Sequence, residues 1–455
     1  MHFLNDVKAP MMKSIIKLGF PVVVSNLGLI LMALFDTAMI GWYGEGETAE
    51  IPLAAAGISN AVFFVASIFG IGVLVVFSSM YAGYIASGKI NRLGKFINAS
   101  LVVNVVISVL TFVLLQLLLQ NIDIFKQPLD VELEAKPYFN ILTYSIWPMF
   151  LFLSFKNISD GYSLTKAAMF ASLTAVVLNV GLNYCLIFGN FGAPELGLVG
   201  AGYGTLISRI YMAIFMILYI QYNQQIAYKL SELKEGFLRT DLIRLLRIGI
   251  PSGLQFFYEI SAFAGAAILT GWISSNDLAA HNVVIGLVSF TYMFANGISV
   301  AGMIKAGEAT GRKDHNTTRQ LGVNALVLTT ACMAVFAIFI VVFNQTMVGW
   351  FTSKQEVIEI ASTLMIVAAF FQLSDGIQAV SLGLLRGMHD TKIPARITFI
   401  VYWLITLPLC YILGFTYGLQ TVGIWIGLLV GLTLAALLLT IRFWKKTHFA
   451  SHSVI

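Results

Sequence analysis

Three carboxylates stand inside apolar runs: Asp36 in "LMALFDTAMIG", Glu259 in "LQFFYEISAFAG" and Asp375 in "FFQLSDGIQAV". Most other Asp and Glu residues fall in short polar segments. An ionised carboxylate near a bilayer centre costs a few kcal/mol on insertion scales, and such residues mark ion or substrate pathways by default. A buried carboxyl can take up a proton near neutral pH and release it when a cation arrives or water enters. The chemistry these residues support is therefore reversible binding of a proton or a cation. A structural alternative is a carboxylate held by a neighbouring helix or paired with a buried cation. The one obvious intramembrane cation is Arg209 in "TLISRIYM", which can neutralise at most one of the three.

Polar neighbours sort into two groups. Asn179 and Asn183 in "VLNVGLNYC" stand at i and i+4, on one helix face, and Thr205 follows on the next span. Gln255 lies one turn before Glu259, and Tyr292 occurs in "SFTYMFANG". Hard cations such as Na⁺ take several oxygen ligands, so Na⁺ would need Glu259, Asp375 and Tyr292, or Asp36, Asn179 and Asn183. The same amides also serve as ordinary contacts between membrane helices.

The elements that carry these residues must be membrane helices. The 455 residues are 58% hydrophobic and 11% charged, with a mean hydropathy of +0.86, whereas a soluble domain carries about 25% charge. The chain is thus an all-α polytopic membrane protein, since the apolar runs lack the alternation of a membrane barrel. Cys185, Cys332 and Cys410 each lie in an apolar run, with no disulfide framework and no metal spacing. The N-terminal "MHFLNDVKAPMMKSIIK" lacks a cleavage pattern, so the first run is expected to be retained. Runs long enough to cross a bilayer fall near 14–42, 52–86, 94–120, 134–158, 165–188, 197–222, 243–271, 278–306, 319–349, 357–386, 393–415 and 420–443. Asp36 precedes Trp42 and Tyr43, interfacial residue types, and so lies about 10 Å below that surface. Glu259 and Asp375 fall near the middle of their runs.

Lys and Arg alternate with this count. The N-terminus (Lys8, Lys13, Lys17), the even-numbered loops (Lys89, Arg92, Lys95; Lys156, Lys166; Lys229, Lys234, Arg239, Arg244, Arg247; Lys305, Arg312, Lys313, Arg319; Arg386, Lys392, Arg396) and the C-terminus (Arg442, Lys445, Lys446) are basic. The odd-numbered loops hold only Lys126, Lys136 and Lys354, and are rich in Glu45, Glu47, Glu50, Asp130, Glu132, Glu134, Glu356 and Glu359. By the positive-inside rule both termini are expected to be cytoplasmic. The chain also repeats: "GFPVVVS" (19–25) with "GIPSGLQ" (249–255), "GYSLTKAA" (161–168) with "GMHDTKIP" (387–394), "SGKINR" with "TGRKDH", and "LGLVGAGYG" with "LQTVGIWIG". Two parallel, pseudo-symmetric six-helix bundles follow, an N-lobe over 1–222 and a C-lobe over 243–455, joined by the polar segment 223–242. By the repeat, Asp36 corresponds to Ala266, Glu259 to Leu29 and Asp375 to Met149. No carboxylate has a twin, so the two lobes are expected to do different jobs.

On the stretches "FDTAMIG", "DGYSLTKAAM", "LNVGLNY", "FGAPELGLVGAGYGT", "GIPSGLQFFYE", "SDGIQAVSLGLLRGMHDTKIP" and "GEATGRKD", the chain resembles the multidrug and toxic compound extrusion (MATE) family, in particular its NorM-like branch. The resemblance runs over essentially the whole chain. It implies two lobes forming a V around a central cavity, and export of cationic amphipathic compounds against inward Na⁺ or H⁺. It also implies an N-lobe site of Asp36, Asn179, Asn183 and Thr205, and a C-lobe site of Glu259 and Asp375 with Tyr292 and Gln255 close by. The DinF-like branch lacks that C-lobe carboxylate pair. Arg209 matches no family role. A monomer in a bacterial inner (plasma) membrane is expected, with small cationic molecules and lipid as partners, no nucleic acid, and no cofactor beyond the coupling ion.

Two rivals are weaker. A flippase for lipids or lipid-linked oligosaccharides, of similar architecture, would line its cavity with cations for pyrophosphate, and Arg209 alone is available. An intramembrane enzyme lacks its motif: no HExxH, GxSxG or paired-Asp signature stands on a helix, and the loops are too short for a catalytic domain.

Overall fold

The computed structural model describes residues 7–43 and 50–452. Glu45 and Glu47 of the first odd-numbered loop lie outside the described residues. Among the described residues, twelve helices long and apolar enough to cross a membrane follow one another: α1 (Ala9–Tyr43), α2 (Glu50–Ala86), α3 (Ile90–Gln120), α4 (Leu129–Gly161), α5 (Lys166–Leu186), α6 (Gly197–Tyr222), α7 (Arg239–Gly271), α8 (Ser275–Gly311), α9 (His315–Gly349), α10 (Gln355–Gly387), α11 (Lys392–Thr416) and α12 (Gln420–His448). This is the count read from the hydrophobic runs. Several helices begin earlier than expected because their first turns are polar but still helical. In α4 the first turn carries Asp130 and Glu132, which the positive end of the helix dipole favours.

The sequence repeat reappears as repeated geometry. In the first half α2 packs on α4, α4 on α6 and α5 on α6; in the second, α8 packs on α10, α10 on α12 and α11 on α12. The turns agree as well. After α4, Ser163 adopts φ 61°, and after α10, His389 adopts φ 57°. Each turn is closed by the same bonds, Leu164 N–H to Ser159 O and Asp390 N–H to Leu385 O, the left-handed cap that satisfies the last helical carbonyls. Pro21 lies inside α1 and Pro251 inside α7, at matched places in the repeat. Local breaks interrupt the long helices at Val76 in α2 and Ser145 in α4, and α11 runs in π-helical register over Ile400–Thr406 and Ile412–Thr416. Such register shifts are frequent at functional sites.

Contacts divide the chain into two compact units along lines that differ from the sequence halves. The Asp36 unit comprises Val24–Tyr81 and Lys89–Gly253, and the Glu259 unit comprises Met1–Val23, Ala82–Gly88 and Leu254–Ile455. The first turns of α1 belong with α8 and α9. Lys8 N–H donates to Asn324 Oδ1 (2.8 Å) and Lys8 Nζ to Gln320 Oε1 (2.9 Å). Gly19 meets Gly297 backbone to backbone, so closely that a Cβ on Gly19 would lie 2.8 Å from the Gly297 carbonyl oxygen.

Each unit buries its own polar staples. In the Asp36 unit the joint after α6 docks on α3: Asn98 Nδ2 donates to the carbonyls of Glu232 (2.7 Å) and Gly236 (2.9 Å), and the Tyr228 hydroxyl donates to Asn98 Oδ1 (2.9 Å). In the Glu259 unit, α8 and α12 are joined by two matched bonds. Thr421 Oγ1 donates to Asp277 Oδ1 (2.6 Å) and Trp425 Nε1 to His281 Nδ1 (3.2 Å). Trp425 then closes an apolar cluster with Phe371, Leu428 and Leu432.

Candidate functional site

Asp36 sits seven residues before the end of α1, with only 7% of its surface exposed. Both carboxylate oxygens are met by donors from other helices. Asn183 Nδ2, from α5, donates to Oδ1 at 2.5 Å, and the Thr205 hydroxyl, from α6, donates to Oδ2 at 2.8 Å. Asn179, one turn before Asn183, receives a long bond from it (3.5 Å). Asn179, Asn183 and Thr205 are themselves buried. The α5–α6 approach is close because residue 204 is glycine; a Cβ there would overlap the Asn183 amide oxygen. The three residues expected to gather around Asp36 are therefore together with it. Asn183 Oδ1 and Asn179 Nδ2 are left without hydrogen-bond partners, spare polar capacity beside the carboxylate.

Tyr138 of α4 and Arg209 of α6 complete the surroundings. The Tyr138 ring is buried, and its hydroxyl accepts from Asn60 Nδ2 of α2 at 3.2 Å. Arg209 Nη1 donates to Ser145 Oγ at 2.5 Å, at the break in α4, and its guanidinium carbon lies 4.7 Å from the centre of the Phe63 ring.

The second cluster is built from α7, α8, α10 and α11. Glu259 Oε1 accepts from Gln378 Nε2 of α10 at 3.4 Å. Asp375, three residues before Gln378 on the same helix, is 6% exposed. Asp375, Tyr292 of α8 and Tyr402 of α11 all lie within electrostatic range of Glu259. Tyr402 reaches the cluster from the π-helical stretch of α11, and its hydroxyl, like Gln378 Oε1, is buried without a hydrogen-bond partner. Gln255 is placed differently from the other residues expected here. Its Oε1 accepts from Arg386 Nε (3.1 Å) and its Nε2 donates to the Thr391 carbonyl (2.9 Å), so the amide braces the turn between α10 and α11.

Sequence reasoning passed over three members of this cluster. Gln378 and Tyr402 carry no charge and leave no dip in hydropathy. Arg386 reads as a loop cation at the end of an apolar run, yet α10 continues through Gly387 and the side chain is 7% exposed, stacked 4.4 Å from the Phe256 ring centre. Nothing in the sequence marked it: the residues that hold it, Gln255 and Phe256, lie one turn before Glu259 on α7, far from Arg386 along the chain.

Among the described residues no three His, Cys, Asp or Glu side chains come together as a transition-metal site. What the two clusters offer is carboxylate, amide and hydroxyl oxygen, the donor set of a proton or an alkali cation.

The chain matches the MatE family over residues 21–185 and 251–412. It is 31% identical over 448 residues to the multidrug resistance protein NorM of Vibrio cholerae, covering 95% of each chain. It is 30% identical over 442 residues to the multidrug resistance protein MdtK of Yersinia pseudotuberculosis, covering 94% of each. Among solved structures, the Vibrio cholerae MATE transporter VcmN superposes with a TM-score of 0.86 at 20% identity, over 96% of this chain and 97% of that one. That last likeness concerns the fold.

Proposed function

The chain belongs to the MATE family of membrane transporters, which are not enzymes, and on that premise we propose that it exports cationic amphipathic compounds in antiport with Na⁺ or H⁺. The observation that carries this reading is the Asp36 cradle: a buried intramembrane carboxylate with both oxygens held by neutral donors and, among the described residues, no direct ion pair. A carboxylate so placed is stable when empty and can be neutralised by a proton or a cation, which is what a coupling site must do in alternation. The named relatives are multidrug resistance proteins, which supports drugs as the substrate class.

The contacts support a role for each residue. Asp36 is the exchanging carboxylate of one site, and Asn179, Asn183 and Thr205 hold it in register between turnovers. Glu259 and Asp375 share the second site, where repulsion between two like charges favours binding of a monovalent cation, with Gln378, Tyr292 and Tyr402 supplying neutral oxygens. A cationic substrate and the coupling ion compete for the same carboxylates, so loading one favours release of the other. The basic even-numbered loops support a cytoplasmic location for both termini, and the bacterial relatives support a plasma-membrane location.

Efflux of ethidium from proteoliposomes, under Na⁺ and pH gradients imposed separately, tests the proposal. Export driven by either gradient is the expected result; export driven by neither removes the antiport reading.

A further inference from the structure

Two guanidinium groups, the half-buried Arg209 and the buried Arg386, have no task in the antiport scheme, and each is held by an aromatic ring and a neutral oxygen. Arg209 lies four residues after Thr205 on α6, one turn along the same face, and Thr205 is the residue that donates to Asp36. It is clamped between the Phe63 ring at 4.7 Å and Ser145 Oγ at 2.5 Å, both neutral. In the Glu259 unit, Arg386 stacks on Phe256 at 4.4 Å and donates to Gln255 Oε1 at 3.1 Å, and Gln255 is one turn before Glu259 on α7. Each carboxylate site thus has an arginine near it, Arg209 one turn from the donor Thr205 and Arg386 bonded to Gln255 one turn from Glu259, each held by an aromatic face and a neutral oxygen. A lysine there could shed its proton; an arginine stays charged.

We propose that Arg209 is a tethered counter-cation of the Asp36 site, whose fixed charge competes with the coupling cation for the carboxylate and so sets how readily the site unloads. With Asp36 ionised, carboxylate and guanidinium together carry no net charge. Binding of any monovalent cation leaves one uncompensated positive charge in a medium where like charges repel far more strongly than in water. The empty site is stabilised and the loaded site weakened, as a carrier that must release its ion in every cycle requires. The groups that face Asp36 leave the guanidinium as its only permanent counter-charge among the described residues: Asn179 and Asn183 on α5, Thr205 on α6 and, through electrostatics, the Tyr138 phenol on α4. The inference rests on the proposed coupling role of Asp36.

The test uses the full chain in proteoliposomes, with ethidium efflux measured against the concentration of the driving ion, Na⁺ or H⁺. Arg209→Met is expected to lower the half-saturating ion concentration about tenfold or more and to lower the maximal rate, because the ion is held too tightly. Arg209→Lys, whose ammonium can shed its proton there, is expected to fall between Arg209→Met and the parent. A half-saturating concentration that is unchanged or raised in Arg209→Met overturns the proposal, because loss of a mere brace loosens the site. If Arg209→Met does not fold, Arg209→Gln, which keeps a donor for Ser145, is read in the same way. Failure of both to fold makes the residue a brace and also overturns the proposal. Asp36→Asn separates the two levels: undiminished efflux by that variant removes the coupling role of Asp36, whereas a negative result confined to Arg209 leaves that role standing.

Discussion

Replacing Asp36 with Asn separates a functional carboxylate from a structural one. The side chain keeps its shape: its Oδ1 can still accept from Asn183 Nδ2, and its NH₂ can donate to the Thr205 hydroxyl, which turns from donor to acceptor. Both bonds change from charge-assisted to neutral, a loss of about 2–3 kcal/mol in all. Against this, the cost of holding a charge within the membrane disappears, roughly 2.5–3.5 kcal/mol on insertion scales. The two terms nearly cancel, so the variant is expected to fold with a stability within about 1–2 kcal/mol of the parent. Transport has no such compensation. A carboxylate attracts a cation 4 Å away by about 4 kcal/mol at an effective dielectric constant of 20, which at 1.4 kcal/mol per tenfold is nearly a thousandfold in binding. Ethidium efflux per incorporated protein should therefore fall by two to three orders of magnitude, roughly, while thermal unfolding in detergent barely moves. Efflux at the parent rate would refute the reasoning. So would a stability loss above about 3 kcal/mol, because Asp36 would then be holding the fold.

Two further perturbations test the architecture. Asp314 caps α9, accepting from the Thr317 hydroxyl (2.6 Å) and backbone N–H (2.9 Å), and these bonds hold its carboxyl below the usual carboxylate range. A depressed carboxyl contributes stability that is present above about pH 4 and is lost as pH falls through the folded-state value; Asp314→Ala should cost about 1 kcal/mol near neutrality, and the gap between the two melting curves should close on acidification below about pH 4. Gly311 ends α8 against the backbone of Gly83, where an added Cβ would overlap the Gly83 carbonyl, whereas a Cβ at Gly57 meets nothing. Gly311→Ala should destabilise by about 1–3 kcal/mol and Gly57→Ala should leave the melting temperature unchanged or raised.

The fold was legible because hydrophobic runs of membrane length leave little choice: a backbone in lipid must satisfy its hydrogen bonds internally, and helices do so. The repeat was legible too, and it recurs down to the left-handed turns at Ser163 and His389. The break at Val76 was not, since it changes no hydropathy, and the reading passed over Pro148 and Pro408, which lie just after the break at Ser145 and the π-helical stretch of α11 and remove the N–H that the carbonyl four residues earlier needs. The neighbours of Asp36 could be named because Asn179 and Asn183 share a helix face and Thr205 follows on the adjacent span. Around Glu259 the reading reached the charges but not their companions. Gln378 and Tyr402 look like any polar or aromatic residue in a membrane helix, and Gln255 turned out to be occupied with Arg386 and Thr391. Arg386 itself illustrates the limit of assigning a basic residue to a loop from its place at the end of an apolar run: an aromatic ring one turn from Glu259 draws the guanidinium inward.

The most direct test of antiport runs the cycle backwards. Proteoliposomes given an ethidium gradient, and no gradient of Na⁺ or pH, are monitored for ion movement with a lumenal pH dye and with ²²Na⁺. The account predicts that ethidium flux in one direction drives Na⁺ or H⁺ in the other, and that Asp36→Asn abolishes both together. Ethidium movement with neither ion moving in return would contradict it.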